Sequence, residues 1–113
     1  MMQPEPINNI LSSAYLSCIK ILHLIDKKSF DDFKFDEVAQ DAIFWNMAVL
    51  GESFNRLPNE WIDEHDYIEI RKVIGMRNRI LHGYDLIDIK IVYDVATTSV
   101  VQLKDQLEQL LQG

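Results

Sequence analysis

At 113 residues, 48% of them apolar, the chain is long enough to bury a core as one domain (1–113) without disulfide or metal staples. Cys18 is the only cysteine and no cysteine–histidine spacing suggests a metal site, so the expectation is a reduced, cytoplasmic protein without a cofactor. A net charge of −7 argues against a general nucleic-acid binder, because an acidic surface repels a polyanion.

The opening MMQPEPINN lacks basic residues ahead of an apolar stretch, and charged residues interrupt every later apolar run, so neither a targeting nor a membrane segment is expected. After Pro4 and Pro6, Ile7, Leu11, Ala14, Cys18, Ile21 and Ile25 recur at helical spacing and predict a first helix over residues 8–27. KKSFDDFKFD follows as a loop. In the second helix Val38, Ala42, Trp45, Val49 and Leu50 form one apolar stripe, which Ile43, Phe44, Met47 and Phe54 widen past a single face, until Pro58 stops it. So wide an apolar surface asks to be covered on more than one side, which points to self-association. Gly51 inside this helix reads as a point of close helix approach, and Trp45 and Phe44 as core or interface residues.

A third helical region begins near Asn59, is broken around His65 and Asp66, and continues through Ile70, Val73, Ile74, Met76 and Leu81 to Gly83, which suits a left-handed closing position. Asp88 is positioned to cap a fourth helix carrying Ile89, Val92, Ala96, Ser99, Leu103, Leu107 and Leu110 almost to Gly113. No strand-like alternation intervenes. The expected fold is all-α, an up-and-down four-helix bundle with room for one short extra helix, dimerising.

Charge is distributed unevenly. Residues 1–70 carry thirteen acids against five bases, residues 71–84 no acid against Arg71, Lys72, Arg77 and Arg79, and residues 85–113 five acids against two bases. The basic island also holds Asn78, His82 and Tyr84. A solvated helix face would have the same composition, and His82 could simply cap the last turn, where an imidazolium suits the helix dipole. Asn78 and His82, four apart, share a face, whereas Arg77 and His82 diverge by roughly 140° on an ideal helix. For both to meet one phosphate, the last turn must unwind, the arginine must reach around, or a second copy must complete the site.

The spacing of Arg77, Asn78, His82 and Tyr84, together with FDEVAQDAIFWNMAVLGESFNRLP (35–58) and KVIGMRNRILHGYDLIDIKIVYDV (72–95), resembles the HepT toxins within the HEPN class of helical ribonucleases. The likeness covers essentially the whole chain. It implies a HEPN-like bundle and the toxin of a toxin–antitoxin pair: a metal-independent endoribonuclease with Arg77 and His82 as catalytic residues and Asn78 and Arg79 supporting them or binding phosphate. It also implies, as partner, an MntA-like nucleotidyltransferase antitoxin that adenylylates Tyr84; the homodimer is expected instead from the wide apolar surface and the diverging motif, through helices two and three. The chemistry is consistent. Metal-free cleavage needs a proton carrier for the 2′-hydroxyl or the leaving oxygen, and a cation for the phosphorane charge. Histidine and arginine supply these two. Glu52, beside Gly51, is either a surface acid or the group that holds a motif arginine. The alternative to an enzyme is a non-catalytic helical binding subunit of a nucleotidyltransferase complex, in which Arg77 and His82 are dispensable.

Overall fold

The structure, a computed structural model, describes residues 5–83 and 86–113, and every regular element among them is helical. The helices are α1 (Ile7–Ile25), α2 (Phe30–Lys34), α3 (Glu37–Asn55), α4 (Asn59–Glu64), α5 (Ile70–His82), α6 (Ile89–Asp94) and α7 (Val100–Gln112). A π-helical segment, Val95–Ser99, joins α6 to α7. None of these is long and apolar enough to cross a membrane.

The four long helical paths run up and down. Arg56, just past α3, pairs with Glu5, just before α1, at 3.0 Å. Lys72 in α5 reaches Ser99 at 3.2 Å, while Gln106 of α7 donates to the carbonyl of Tyr67 ahead of α5 at 3.4 Å. Each pair sets the start of one path beside the middle or end of the path that follows it, as antiparallel neighbours require. The all-α, up-and-down bundle expected from periodicity is therefore observed, with two short extra helices, α2 and α4, where room was expected for one, and it is consistent with the HEPN-like bundle that the resemblance implied.

α1 follows its predicted stripe from Leu11 on: Leu11, Ala14, Cys18, Ile21 and Ile25 are all buried, Ile7 is only partly so, and Ile10, outside the stripe, is buried with them. They meet Ile43, Met47, Leu50 and Phe54 of α3, Ile70 and Val73 of α5, and Val100, Leu103 and Leu107 of the last path. Each such side chain removed from water contributes roughly 1.5–3 kcal/mol before chain entropy is counted. Burial pushes the Cys18 thiol up to about 12, so it remains a protonated apolar filler.

Four expectations need correction. First, KKSFDDFKFD is not simply a loop. The Ser29 hydroxyl accepts from the Asp32 amide and the Asp32 carboxylate from the Ser29 amide, both at 3.1 Å, and this reciprocal cap starts α2. Fully buried Phe33 anchors it, and Gln40 donates to its last carbonyls, of Phe33 and Lys34, at 2.8 and 3.0 Å. Second, the α3 faces are divided differently. Ile43, Phe44, Met47, Leu50 and Phe54 are the core, whereas Val38 and Trp45 of the supposed stripe are 81% and 71% exposed. Third, Gly83 has φ −144°, not a left-handed value, and closes α5 by donating to the Arg79 carbonyl at 2.8 Å. Fourth, the last helix is not uniform. The Thr97 hydroxyl bonds the Tyr93 carbonyl at 2.8 Å, and the Val100 amide reaches back to Val95, widening one turn.

Other expectations are met. Asp36 caps α3 through the Ala39 amide at 3.0 Å, and that bond, with Lys28 at 3.4 Å, holds its carboxyl below its ordinary range. Asp88 caps α6 through the Lys90 amide at 2.9 Å. The break between α4 and α5 falls at His65–Glu69, where His65 stacks on Trp61 at 3.8 Å and its Nδ1 lies 2.7 Å from the Trp61 carbonyl.

Candidate active site

The site begins with a residue that has no side chain. A Cβ built on Gly51 of α3 would fall 2.3 Å from Arg77 Cβ, 2.9 Å from Arg77 Cγ and 3.2 Å from the Val73 carbonyl. The stem of Arg77 therefore lies directly on the α3 backbone, and only glycine leaves room for it. This crossing fixes both the α3–α5 separation and the point at which the guanidinium emerges.

Two acceptors then orient the guanidinium. Nη2 donates to Glu52 Oε2 at 2.8 Å, from the residue next to the glycine, and Nη1 donates to Asn78 Oδ1 at 2.8 Å. The side chain is 22% exposed, and its Nε is buried without a bonding partner among the described residues. A planar cation held at two corners keeps its remaining N–H groups in a fixed direction, which suits recognition of a tetrahedral anion. Glu52 thus holds a motif arginine, and Asn78 bonds Arg77, not His82.

Around this clamp, Trp45, Ala48, Val49, Glu52, Arg56, Arg77 and Leu81 line an open groove of about 310 Å³. Its walls are mostly apolar. Leu81 is 50% exposed and continues the uncovered Val38–Trp45 face of α3.

His82 is at the last position of α5 and is exposed, as are Asn78 and Arg79. Neither the His82 nor the Arg79 side chain makes a hydrogen bond or ion pair to another described residue. α5 stays helical to His82, so the last turn does not unwind to bring His82 beside Arg77. The structure thus joins Arg77, Asn78 and Glu52 into one unit and leaves His82 and Arg79 free on the adjoining surface. Tyr84 lies outside the described residues. Arg79 also borders a second hollow of about 300 Å³, lined by Met76, Gly83, Leu86, Ile87, Asp88 and Ile91.

The sequence had indicated Gly51 as a close approach and Glu52 as one of two readings. It missed the division of Trp45 from Phe44, which makes the tryptophan a wall of the open groove. The signal was weak, since neighbouring positions on a helix apolar all round differ only in which neighbour covers them.

Comparison with known proteins bears on the whole chain. A provisionally named RNase of Caldanaerobacter subterraneus subsp. tengcongensis is 26% identical over 112 residues, 99% of this chain and 97% of its own length. A provisionally named ribonuclease HepT of Thermococcus cleftensis is 27% identical over 81 residues, 72% of this chain and 74% of its own. A provisionally named RNase of Methanocaldococcus jannaschii is 23% identical over 91 residues, covering 80% and 75% of the two chains. No solved structure matches. The ribonuclease HepT-like family model matches residues 15–110, which takes in α3, the Gly51–Arg77 crossing and all of α5, and the chain belongs to that family.

Proposed function

We propose that this chain is a metal-independent endoribonuclease and the toxin of a toxin–antitoxin pair, acting on single-stranded RNA. Family membership supplies the class of activity. The observation that carries the assignment to residues is the clamp on Arg77: a guanidinium seated on Gly51 and held by Glu52 and Asn78 at 2.8 Å each. An arginine needed only for solubility has no reason to be so constrained.

Arg77 stabilises the charge that builds on the phosphorane oxygens when the ribose 2′-hydroxyl attacks the adjacent phosphorus. The O–P bond forms as the bond to the 5′-oxygen breaks, leaving a 2′,3′-cyclic phosphate and a 5′-hydroxyl. His82 moves the proton, taking it from the 2′-hydroxyl or giving it to the leaving oxygen. Asn78 and Glu52 position Arg77, and Arg79 contacts a flanking phosphate. Unpaired RNA is preferred because it can flex into the in-line geometry.

Arg77 and His82 point apart along α5 by roughly 140°, which favours a homodimer in which two copies face one another across a shared cleft. The uncovered Val38–Trp45–Leu81 surface is the apolar contact such a dimer would bury. Regulation is assigned to Tyr84, adenylylated by an MntA-like nucleotidyltransferase antitoxin. Each added AMP brings a phosphodiester charge that competes for the arginines and repels incoming RNA.

The test is expression of the wild-type chain beside His82→Ala and Arg77→Ala, under chelation for the purified forms. Growth arrest and new 2′,3′-cyclic phosphate ends with the wild type alone are expected. Unchanged cleavage in both variants refutes the roles assigned to these residues. For Tyr84, intact-mass spectra of chain purified with the partner and ATP should show additions in AMP units that Tyr84→Phe lacks. Full neutralisation of Tyr84→Phe, with no mass change on the wild type, would replace the covalent switch with sequestration.

A further inference from the structure

Three glycines lie near the site: Gly83 closes α5, and of the two inside helices only one is explained by the fold. Gly51 is filled by Arg77, whereas a Cβ built on Gly75, in the middle of α5, would meet nothing within 4 Å. Gly75 is exposed, has no positive φ, and occupies a helix interior, where glycine is the weakest helix former after proline. Nothing inside the described structure requires it.

What surrounds Gly75 is charged and polar. On an ideal helix Arg71, Lys72, Asn78, Arg79 and His82 all fall within about 60° of Gly75, on a stripe about 16 Å long, while Arg77 points to nearly the opposite side, into α3. At the start of the stripe the cations are already paired, Arg71 with Asp63 at 2.6 Å and Lys72 with Glu69 at 3.1 Å. Beyond Gly75 they are not. The Arg79 and His82 side chains have no polar partner among the described residues, and Asn78 spends its side-chain carbonyl on Arg77, leaving its side-chain amide as a donor. The stripe thus presents unbalanced donors next to a stretch of backbone that no side chain shields, on a chain of net charge −7.

We propose that this outer face of α5 is the track along which the ribose–phosphate backbone of the RNA runs to reach His82, seated against the bare helix at Gly75. The proposal rests on the ribonuclease reading above and adds the path of the substrate to it. Close approach needs the missing side chain, and Arg79 and the Asn78 amide meet the phosphates on either side of it. A second copy of the chain fits this face less well. Helices crossing at Gly75 about a two-fold axis would set Lys72, Arg79 and His82 of each copy against their own counterparts.

The experiment measures binding apart from cleavage. In a His82→Ala background, anisotropy of a labelled single-stranded oligoribonucleotide is titrated with protein carrying Gly75, Gly75→Ala or Gly75→Leu, alongside light scattering and thermal melts. Gly75→Leu should weaken binding at least 10-fold and Gly75→Ala by less, with unchanged oligomeric state. Both should melt no lower than the parent, because nothing in the fold is displaced. Arg79→Gln in the same background should reduce the slope of log K against log salt by about 0.7, one contact on a single strand. It tests the same face should the leucine form fail to fold. Unchanged affinity in the folded Gly75→Leu form overturns the track while leaving the ribonuclease reading intact if the wild type still cleaves. A changed oligomeric state assigns the face to self-contact and also overturns it. Failure of every form to bind RNA, with no cleavage by the wild type, overturns both.

Discussion

Replacing Gly51 with alanine is the sharpest perturbation of the site that adds no charge and removes no contact. The new methyl carbon would lie 2.3 Å from Arg77 Cβ, and carbon atoms pack at roughly 3.5–4.0 Å. Clearing the overlap therefore needs about 1.2 Å of movement. Neither atom is the end of a flexible side chain, so α3 and α5 themselves must separate. Overpacking of this kind costs about 1–3 kcal/mol, and the better helix propensity of alanine offsets about 1 of it. A net loss of about 1 kcal/mol corresponds to a melting temperature lower by roughly 4 °C at this chain length. The effect on activity should be larger. The Arg77–Glu52 bond is 2.8 Å long, and an extra ångström takes it past the limit of a hydrogen bond. Misplacement on that scale costs on the order of 100-fold in rate. Circular-dichroism melts, in which Gly75→Ala is a helical control that should not be destabilised, and cleavage of a defined oligoribonucleotide by Gly51→Ala and the parent give the two readouts. A Gly51→Ala protein as stable and as active as the parent would refute the claim that the stem of Arg77 rests on α3.

Glu52→Gln should lower the cleavage rate by roughly 10-fold while changing stability by less than about 1 kcal/mol, because the carboxylate is half exposed and its worth is in orientation; equal rates would remove Glu52 from the site. Cys18 should resist a thiol-specific disulfide reagent at pH 8 in the folded protein and react fully in denaturant, since its thiol is buried and pushed up to about 12; rapid native-state labelling would contradict the packing of α1. The Asp36 carboxyl is held low first by the Ala39 amide and then by Lys28. The unfolded state therefore takes up its proton first as pH falls, and the stability contributed by Asp36 is present at neutral pH and lost in acid. Melts of Asp36→Ala should lie below the parent at pH 7 and converge with it toward pH 2, and a constant gap would argue against the cap.

How far the chain could be read in advance depended on whether a feature was local. The α1 stripe, the Asp36 and Asp88 positions and the break after His65 are set by residues a turn or two apart, so periodicity and capping chemistry locate them. The Ser29–Asp32 box was equally local, but it starts only five helical residues, too few for a periodic signal. Trp45 and Phe44 are adjacent and equally apolar; the packing of α3 between α1 and α5 buries one and exposes the other. The π segment coincides with the Thr97 hydroxyl taking a carbonyl from its own helix, which no spacing announces. In the site, the motif spacing marked Arg77 and His82, and Gly51 suggested a crossing. That Arg77 is the residue crossing there, and that Asn78 serves it and not His82, needed coordinates, because those partners are 26 residues apart or compete for one short side chain.

The central claim is that Arg77, fixed on Gly51 and held by Glu52, acts with His82 in cutting RNA. Its most direct test is the end chemistry of a single oligoribonucleotide incubated with purified wild-type, Arg77→Ala and His82→Ala chains in chelator. Fragments ending in 2′,3′-cyclic phosphate with the wild type, and a loss of at least 100-fold in their rate of formation with either variant, are the predicted result. Equal rates in all three proteins, or wild-type fragments ending in 3′-hydroxyl and 5′-phosphate, would contradict the account.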